Sequence, residues 1–555
     1  MGFWNKRLFT TVTFSVATAV LIVYLLSMRW HISLPVTIFW GSIALMLGTT
    51  AYQCLNIESF PSYTKVTLLQ IVTISFVFHL IYQIPFYGVR GYDAYMDMGS
   101  AKGIINSGFV MGDSRYINVT STFPIIHILG VMLSLITGID IFSVAKWFPS
   151  ILDTILILLS YLLIRRIFEK EKVALFSVLL FACLEHHILW SSLYVRETVA
   201  LILAICCIYL YFSANSSSTP STHYALSILC LISTIFAHHL TSLMLSIFLA
   251  VHFLTTKVSK AQIMNRTFFK RNLKGQAVTS SFVLLSFVVL FSYWMYVVSF
   301  PFYTIATLAA ELFNPTQWGS RSYAQMAGIS GTSIRTLRGN IEFYGFYIFH
   351  SIFALIMLFQ LLHRGKSRRI ETYSFTLFFF LCGIIGFSSL YLIPAAVFPD
   401  RFLMYGWIFG FAPLVTAILE GKHKLLRRSI VILMIAFMLY NLYIIDPVNW
   451  DLRAEGVTTV ASFEDYSLAN TINFSNVKIF GYQNPLMAVY DVQGELGNVL
   501  SVYKVNIAEF GFIIIQKKSL ALEPITALVA IAENNSSNYN KIYESNSLSV
   551  FRLKR

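Results

Sequence analysis

The sequence predicts an all-α polytopic membrane protein with a small α/β domain at its C-terminal end. Three observations carry this. Of 555 residues, 57% are hydrophobic and only 12% charged, where a soluble domain has about 25% charged residues. Apolar runs of roughly 20 residues recur, each long enough to cross a hydrocarbon core of ~30 Å. Lys and Arg fall in short clusters between those runs, the arrangement that sets membrane topology.

Taken in order, the runs predict about thirteen spans. The first three lie near 8–28, 33–54 and 67–88. The segment from Met1 to Met28 lacks a small-residue cleavage site and reads as an anchor rather than a cleaved signal. A polar outer loop, 89–141, follows. Within it 123–138 is too short for a crossing and reads as a helix on the membrane surface. Spans then fall near 142–165, 173–190, 196–213, 223–238, 240–255, 277–298, 341–362, 373–394, 402–419 and 427–445.

The basic clusters Lys6-Arg7, Arg165 to Lys172, Lys257 to Lys274, Arg364 to Arg369 and Lys422 to Arg428 all fall on one side if the N-terminus is cytoplasmic. Residues 1–446 are thus a transmembrane domain. After about residue 446 the apolar runs shorten to strand length, as in Val477 to Gly481, Phe510 to Gln516 and Leu548 to Leu553. Residues 447–555 read as a small extracytoplasmic α/β domain, with helices near 463–471 and 520–532.

The net charge of +14 does not imply nucleic acid, because the basic residues serve topology. The six cysteines lie in or beside apolar runs and form neither a disulfide framework nor a metal-ligand spacing.

Chemistry concentrates on the outer face. The stretch Arg90-Gly91-Tyr92-Asp93-Ala94-Tyr95-Met96-Asp97 carries two carboxylates at i, i+4, on one side of a helix if it is helical. Arg196-Glu197, His238-His239, Arg335, Arg338 and Asp400-Arg401 stand at other outer turns, as do Glu185 and His186-His187. Any one of these reads equally well as ordinary loop polarity or a helix cap. Together, carboxylates, histidines and arginines converging on one cavity suit an anionic, polar substrate. Asp153 and His79 fall inside spans. A carboxylate there needs a partner, and Lys146, seven residues back, is a candidate for a structural clamp.

Four stretches resemble the GT-C superfamily of integral-membrane glycosyltransferases, the archaeal members in particular and more distantly protein O-mannosyltransferases and oligosaccharyltransferase catalytic subunits. They are Gly91-Tyr92-Asp93; Phe123-Pro124 through Gly138-Ile139-Asp140, Lys146 and Pro149 to Arg165-Arg166; Tyr194-Val195-Arg196-Glu197-Thr198; and Pro399-Asp400-Arg401-Phe402. The resemblance implies a GT-C-like fold and sugar transfer from a polyprenyl-phosphate-linked donor to a glycan, lipid or protein acceptor outside the plasma membrane. It implies Asp93 as the catalytic acid of the first outer loop, with Asp97 assisting.

On the same reading, Arg401, Arg335, Arg338, His238 and His239 bind the donor phosphate, and Arg90, Arg196 and Glu197 are accessory. A divalent metal, if the site uses one, falls to Asp93 and Glu197. The chain departs from the family in two extra leading spans and in lacking an adjacent Asp-Glu pair. Its tail carries no WWDYG-like signature, which favours single sugars over whole glycans. The alternatives are a transporter or flippase of a lipid-linked or anionic solute, and a glycan polymerase or ligase. The chain shows no inverted repeat, the usual mark of a transporter.

Overall fold

A computed structural model describes residues 3–30, 32–57, 61–84, 89, 92–108, 110, 122–214, 218–260, 278–298, 301, 337–364, 370–391, 399–419 and 424–445, and five short strands beyond them. The chain folds as α1 (Phe3–Arg29), α2 (Val36–Leu55), α3 (Thr64–Ile81), α4 (Tyr92–Ser107), α5 (Ile125–Thr137), α6 (Ile141–Phe168), α7 (Glu171–Ala182), α8 (Glu185–Ser191), α9 (Arg196–Ala214), α10 (Pro220–Ala237), α11 (His239–Lys260), α12 (Ser280–Tyr296), α13 (Leu337–Arg364), α14 (Ile370–Tyr391), α15 (Pro399–Leu419) and α16 (Lys424–Ile445).

Among the described residues, nine helices are long and apolar enough to cross a membrane, or ten if α7 and α8 make one bent span. The protein is therefore polytopic. The other expected crossings correspond to shorter apolar helices, Ser280–Tyr296, Gly345–Phe359 and Arg428–Asn441.

These helices are amphipathic in a lipid sense: both faces are apolar, and packing distinguishes them. α1 exposes Leu8, Val12, Val16, Val20 and Val23 and buries Phe14, Ala17, Leu21 and Leu25, each set at helical spacing. α6 likewise turns Trp147, Ile151, Ile155, Leu158 and Leu162 outward. The bundle is built from close pairs, α1 with α2, α9 with α10 and α14 with α15, while α6 lies against α9. Local signals set the ends. Gly138, at φ 71°, closes α5, and the Asp140 carboxylate then accepts from Ser143 N at 2.9 Å to start α6.

The fifth expected span, 173–190, is not straight. α7 and α8 meet at 67°. The break frees backbone groups that lipid cannot satisfy. The chain satisfies one from another helix: Glu185 N donates to Asn441 Oδ1 of α16 at 2.9 Å.

The surface segment expected at 123–138 is α5. Its inner face buries Ile126, His127, Gly130 and Val131, and its outer face exposes Met132, Leu135 and Ile136. Gly130 permits its closest approach. A Cβ there would overlap the Tyr194 hydroxyl, which donates to Ile126 O at 2.9 Å. α5 is thereby docked onto the turn between α8 and α9.

In the tail, β1 (Ile479–Gly481), β2 (Gly494–Glu495), β3 (Phe512–Gln516), β4 (Tyr539–Glu544) and β5 (Leu548–Leu553) form one sheet in the order β2-β1-β3-β5-β4. Its β2-β1-β3 half is parallel and its β3-β5-β4 half antiparallel. The helices expected near 463–471 and 520–532 lie outside the described residues.

Candidate active site

The first turn of α4, the start of α9, the α10–α11 turn and the start of α15 converge at one end of the bundle. Two acid–arginine units define the site. In the inner unit, Asp97 is fully buried. Its Oδ1 lies 3.0 Å from His127 Nε2 and 3.2 Å from Arg196 Nε, and Oδ2 accepts from the Arg196 backbone N–H at 3.3 Å. A carboxylate from α4 thus caps the positive end of α9, where a negative charge is favoured. The Arg196 guanidinium also sits 6.0 Å from the centre of the Phe123 ring.

In the outer unit, Arg401 Nη2 is 3.9 Å from Asp93 Oδ2 and Nη1 is 3.7 Å from Glu197 Oε2. Its guanidinium lies 4.0 Å from the centre of the Trp190 ring, a stacking arrangement suited to the planar Arg fork. Glu197 is 5% exposed at its side chain, whereas that of Asp93 is 49% exposed. Even so, desolvation is the largest cause raising the Asp93 pKa. The Arg401 charge opposes the rise, and the Asp97 charge adds to it.

A chain of hydroxyls leads into Glu197. Tyr405 donates to Glu197 Oε1 at 2.5 Å. That commits its only proton, so Thr241 must be the donor in its 2.7 Å bond with Tyr405. His238 Nδ1 lies 2.9 Å from Thr241 Oγ1 and accepts from the Thr241 backbone N–H at 3.4 Å. Thr241 and Tyr405 thus link His238 to the buried Glu197 carboxylate. Burial is the largest cause lowering the His238 pKa, with His239, Arg401 and Arg196 adding to it. His238 is therefore neutral. His239 packs on Phe123, ring centres 5.5 Å apart.

The structure brings together Asp93, Asp97, Arg196, Glu197, His238, His239 and Arg401. Arg90 and Arg335 lie outside the described residues. Arg338 is not in the loop expected through residue 340 but in the first turn of α13. His127, Trp190, Thr241 and Tyr405 were not singled out in the sequence. A histidine inside the apolar stretch 123–138 was a signal for the first, while nothing local marks the others.

The residues as placed do not fit a metal at Asp93 and Glu197. The Arg401 guanidinium lies between the two carboxylates and supplies the positive charge itself.

Asp153 is clamped, but not by Lys146. Its partners are His79, His187 and the Ser75 hydroxyl, from α3 and α8. Separation along the axis explains the difference: seven residues put Lys146 on a similar face but about 10 Å away along α6, near its start, where it packs over Trp147, whereas Asp153 meets α3 and α8. His187 therefore belongs to this buried clamp and not to the outer cavity.

No protein-family model and no curated protein matches the chain. Two solved structures share its fold. One is the Archaeoglobus fulgidus oligosaccharyltransferase tethered with an acceptor peptide containing the NVT sequon, at 12% identity and TM-score 0.50, covering 89% of this chain and 74% of that one. The other is ArnT from Cupriavidus metallidurans in the apo state, at 10% identity and TM-score 0.50, covering 88% and 97%. The likeness at this identity is one of fold alone.

Proposed function

We propose that the protein is a membrane glycosyltransferase that moves a single sugar from a polyprenyl-phosphate-linked donor to an acceptor on the outer face. The observation that carries this is Arg401 held between Asp93 and Glu197 and stacked on Trp190, beside a carboxylate that is accessible yet poorly solvated. The GT-C-like fold supports the class.

In the reaction, an acceptor hydroxyl oxygen bonds to the anomeric carbon as the bond from that carbon to the phosphate oxygen breaks. Asp93 takes the hydroxyl proton. Negative charge grows on the departing lipid phosphate, and Arg401 meets it with its fork of donors. Glu197, bonded to Tyr405, and Trp190 hold Arg401 in place. His238, buried and bonded to Thr241, is a positioning residue. Asp97, taken up by His127 and Arg196, positions α4 against α9. His239, Arg338 and Arg335 are further candidates for the phosphate, and Arg90 for the loop around Asp93.

The reading also takes residues 1–446 as a domain of about thirteen spans, the full count that the apolar runs allow. It places the N-terminus in the cytoplasm and residues 447–555 outside, as a small α/β domain.

The test is transfer in vitro from synthetic polyprenyl-phosphate sugars, wild type against Asp93→Asn. Loss of transfer in the variant supports the assignment, and full activity overturns it. Flux of substrate into liposomes without transfer from any donor points instead to a transporter.

A further inference from the structure

His79, Asp153 and His187 are each 0% exposed, and one ligand atom from each lies within 4.8 Å of the others. They come from α3, α6 and α8. Asp153 Oδ1 and His187 Nε2 are 2.8 Å apart, yet neither atom has a hydrogen-bond partner. A buried carboxylate oxygen and imidazole nitrogen this close and without a satisfied partner call for an explanation. His79 Nδ1 stands 3.4 Å from Asp153 Oδ2 on the same side.

The surrounding bonds set the tautomers. The Ser191 hydroxyl donates to His187 O at 2.5 Å. His79 Nε2, 2.6 Å from Ser191 Oγ, must therefore be the donor in that pair. With Nε2 protonated, the neutral ring of the ion-bound state carries its lone pair on Nδ1, which lies 3.4 Å from Asp153 Oδ2 and 2.7 Å from Ser75 O. The Ser75 hydroxyl donates to Asp153 Oδ2. Each of these is the kind of outer contact that orients a ligand around a metal.

We propose that His79, Asp153 and His187 form a structural site for a divalent transition-metal ion of the zinc class, fastening the broken span α7–α8 to α3 and α6. Two imidazoles and one carboxylate suit zinc and its neighbours, and not magnesium or calcium. Full burial leaves no access for substrate, which makes the site structural. Its position gives it a purpose: α8 carries Trp190, the platform of Arg401, and Gln83 Nε2 ties the following Ser192 O at 2.5 Å. The competing state is metal-free. There His79 donates from Nδ1 to Ser75 O, 2.7 Å away, beside Asp153.

The test uses the full chain in detergent, stripped with chelator and titrated with Co2+ and then Zn2+. The expected result is one tightly held equivalent of cobalt with the visible absorption of a low-coordinate nitrogen–oxygen site, displaced by zinc. The signal is lost in Asp153→Asn and kept in the Asp93→Asn/Glu197→Gln double variant, which separates this ion from any at the outer cavity. Ser191→Ala, which removes only an outer contact, should weaken binding by about 10–100-fold. Absence of the cobalt band in the wild type, or its persistence in Asp153→Asn, overturns the proposal. If Asp153→Asn does not fold, unchanged affinity in Ser191→Ala overturns it instead. No readout depends on sugar transfer, so the proposal stands or falls apart from the proposed function.

Discussion

Arg196 grips Asp97 twice, through its side chain and through its own backbone N–H. The interaction is at once an ion pair and a helix cap. Removing the Asp97 charge takes both of these contacts from Arg196, and breaking a buried ion pair typically costs about 3–5 kcal/mol. Asp97→Asn should therefore lower the thermal unfolding temperature in detergent markedly, with activity falling in step with folded protein.

Asp93 should behave in the opposite way. Its folded pKa is raised, chiefly by desolvation, so its contribution to stability is present at low pH and lost as pH rises through the raised value. Asp93→Asn should thus leave the unfolding temperature at neutral pH unchanged or slightly higher, while transfer drops by about 10²–10⁴-fold. The wild-type rate should fall on acidification with a midpoint above the ordinary carboxylate range. A pH–rate profile set beside a thermal melt of the same samples checks both.

Arg401→Lys keeps the charge and loses both the fork and the stack on Trp190. Transfer should fall by an order of magnitude or more, about 1.4 kcal/mol for each factor of ten. The loss should show in the KM for the lipid donor as well as in kcat. An unchanged donor KM would remove Arg401 from the phosphate.

Tyr405→Phe deletes one hydroxyl and leaves Glu197 Oε1 without that donor. An unsatisfied buried group of this kind costs about 1–3 kcal/mol. The expected signature is a modest loss of stability with a larger loss of transfer, because Glu197 no longer holds Arg401 in one orientation. Thr241→Val should show the same pattern more weakly.

Gly130→Ala forces a methyl into the Tyr194 hydroxyl. Overpacking of this size costs about 1–3 kcal/mol. Adding Tyr194→Phe should recover part of the loss, since the overlap is with the oxygen. Additive losses in the double variant would show that α5 is not docked through this contact.

The bundle was legible because each span announces itself locally, in a run of apolar residues and in the placement of Lys and Arg. The gathering of Asp93, Glu197 and Arg401 was legible for the same reason: polar residues at apolar helix ends are few and share a face. The partnerships were not. His127 reaches Asp97 across 30 residues, and Tyr405 reaches Glu197 across 208. Asp153 suggested Lys146 because both lie on one helix, whereas its partners come from two others. The 67° break left no Pro or Gly to mark it, since a helix can end wherever a group such as Asn441 receives the freed amide.

α5 has two masters. Its outer face, with Leu135 and Ile136, is apolar and bare, while its inner face presents His127 to Asp97. Whatever presses on the first is felt by the second. A change in bilayer thickness or lipid packing that shifted α5 would therefore move His127 against Asp97, and with it the spacing between α4 and α9.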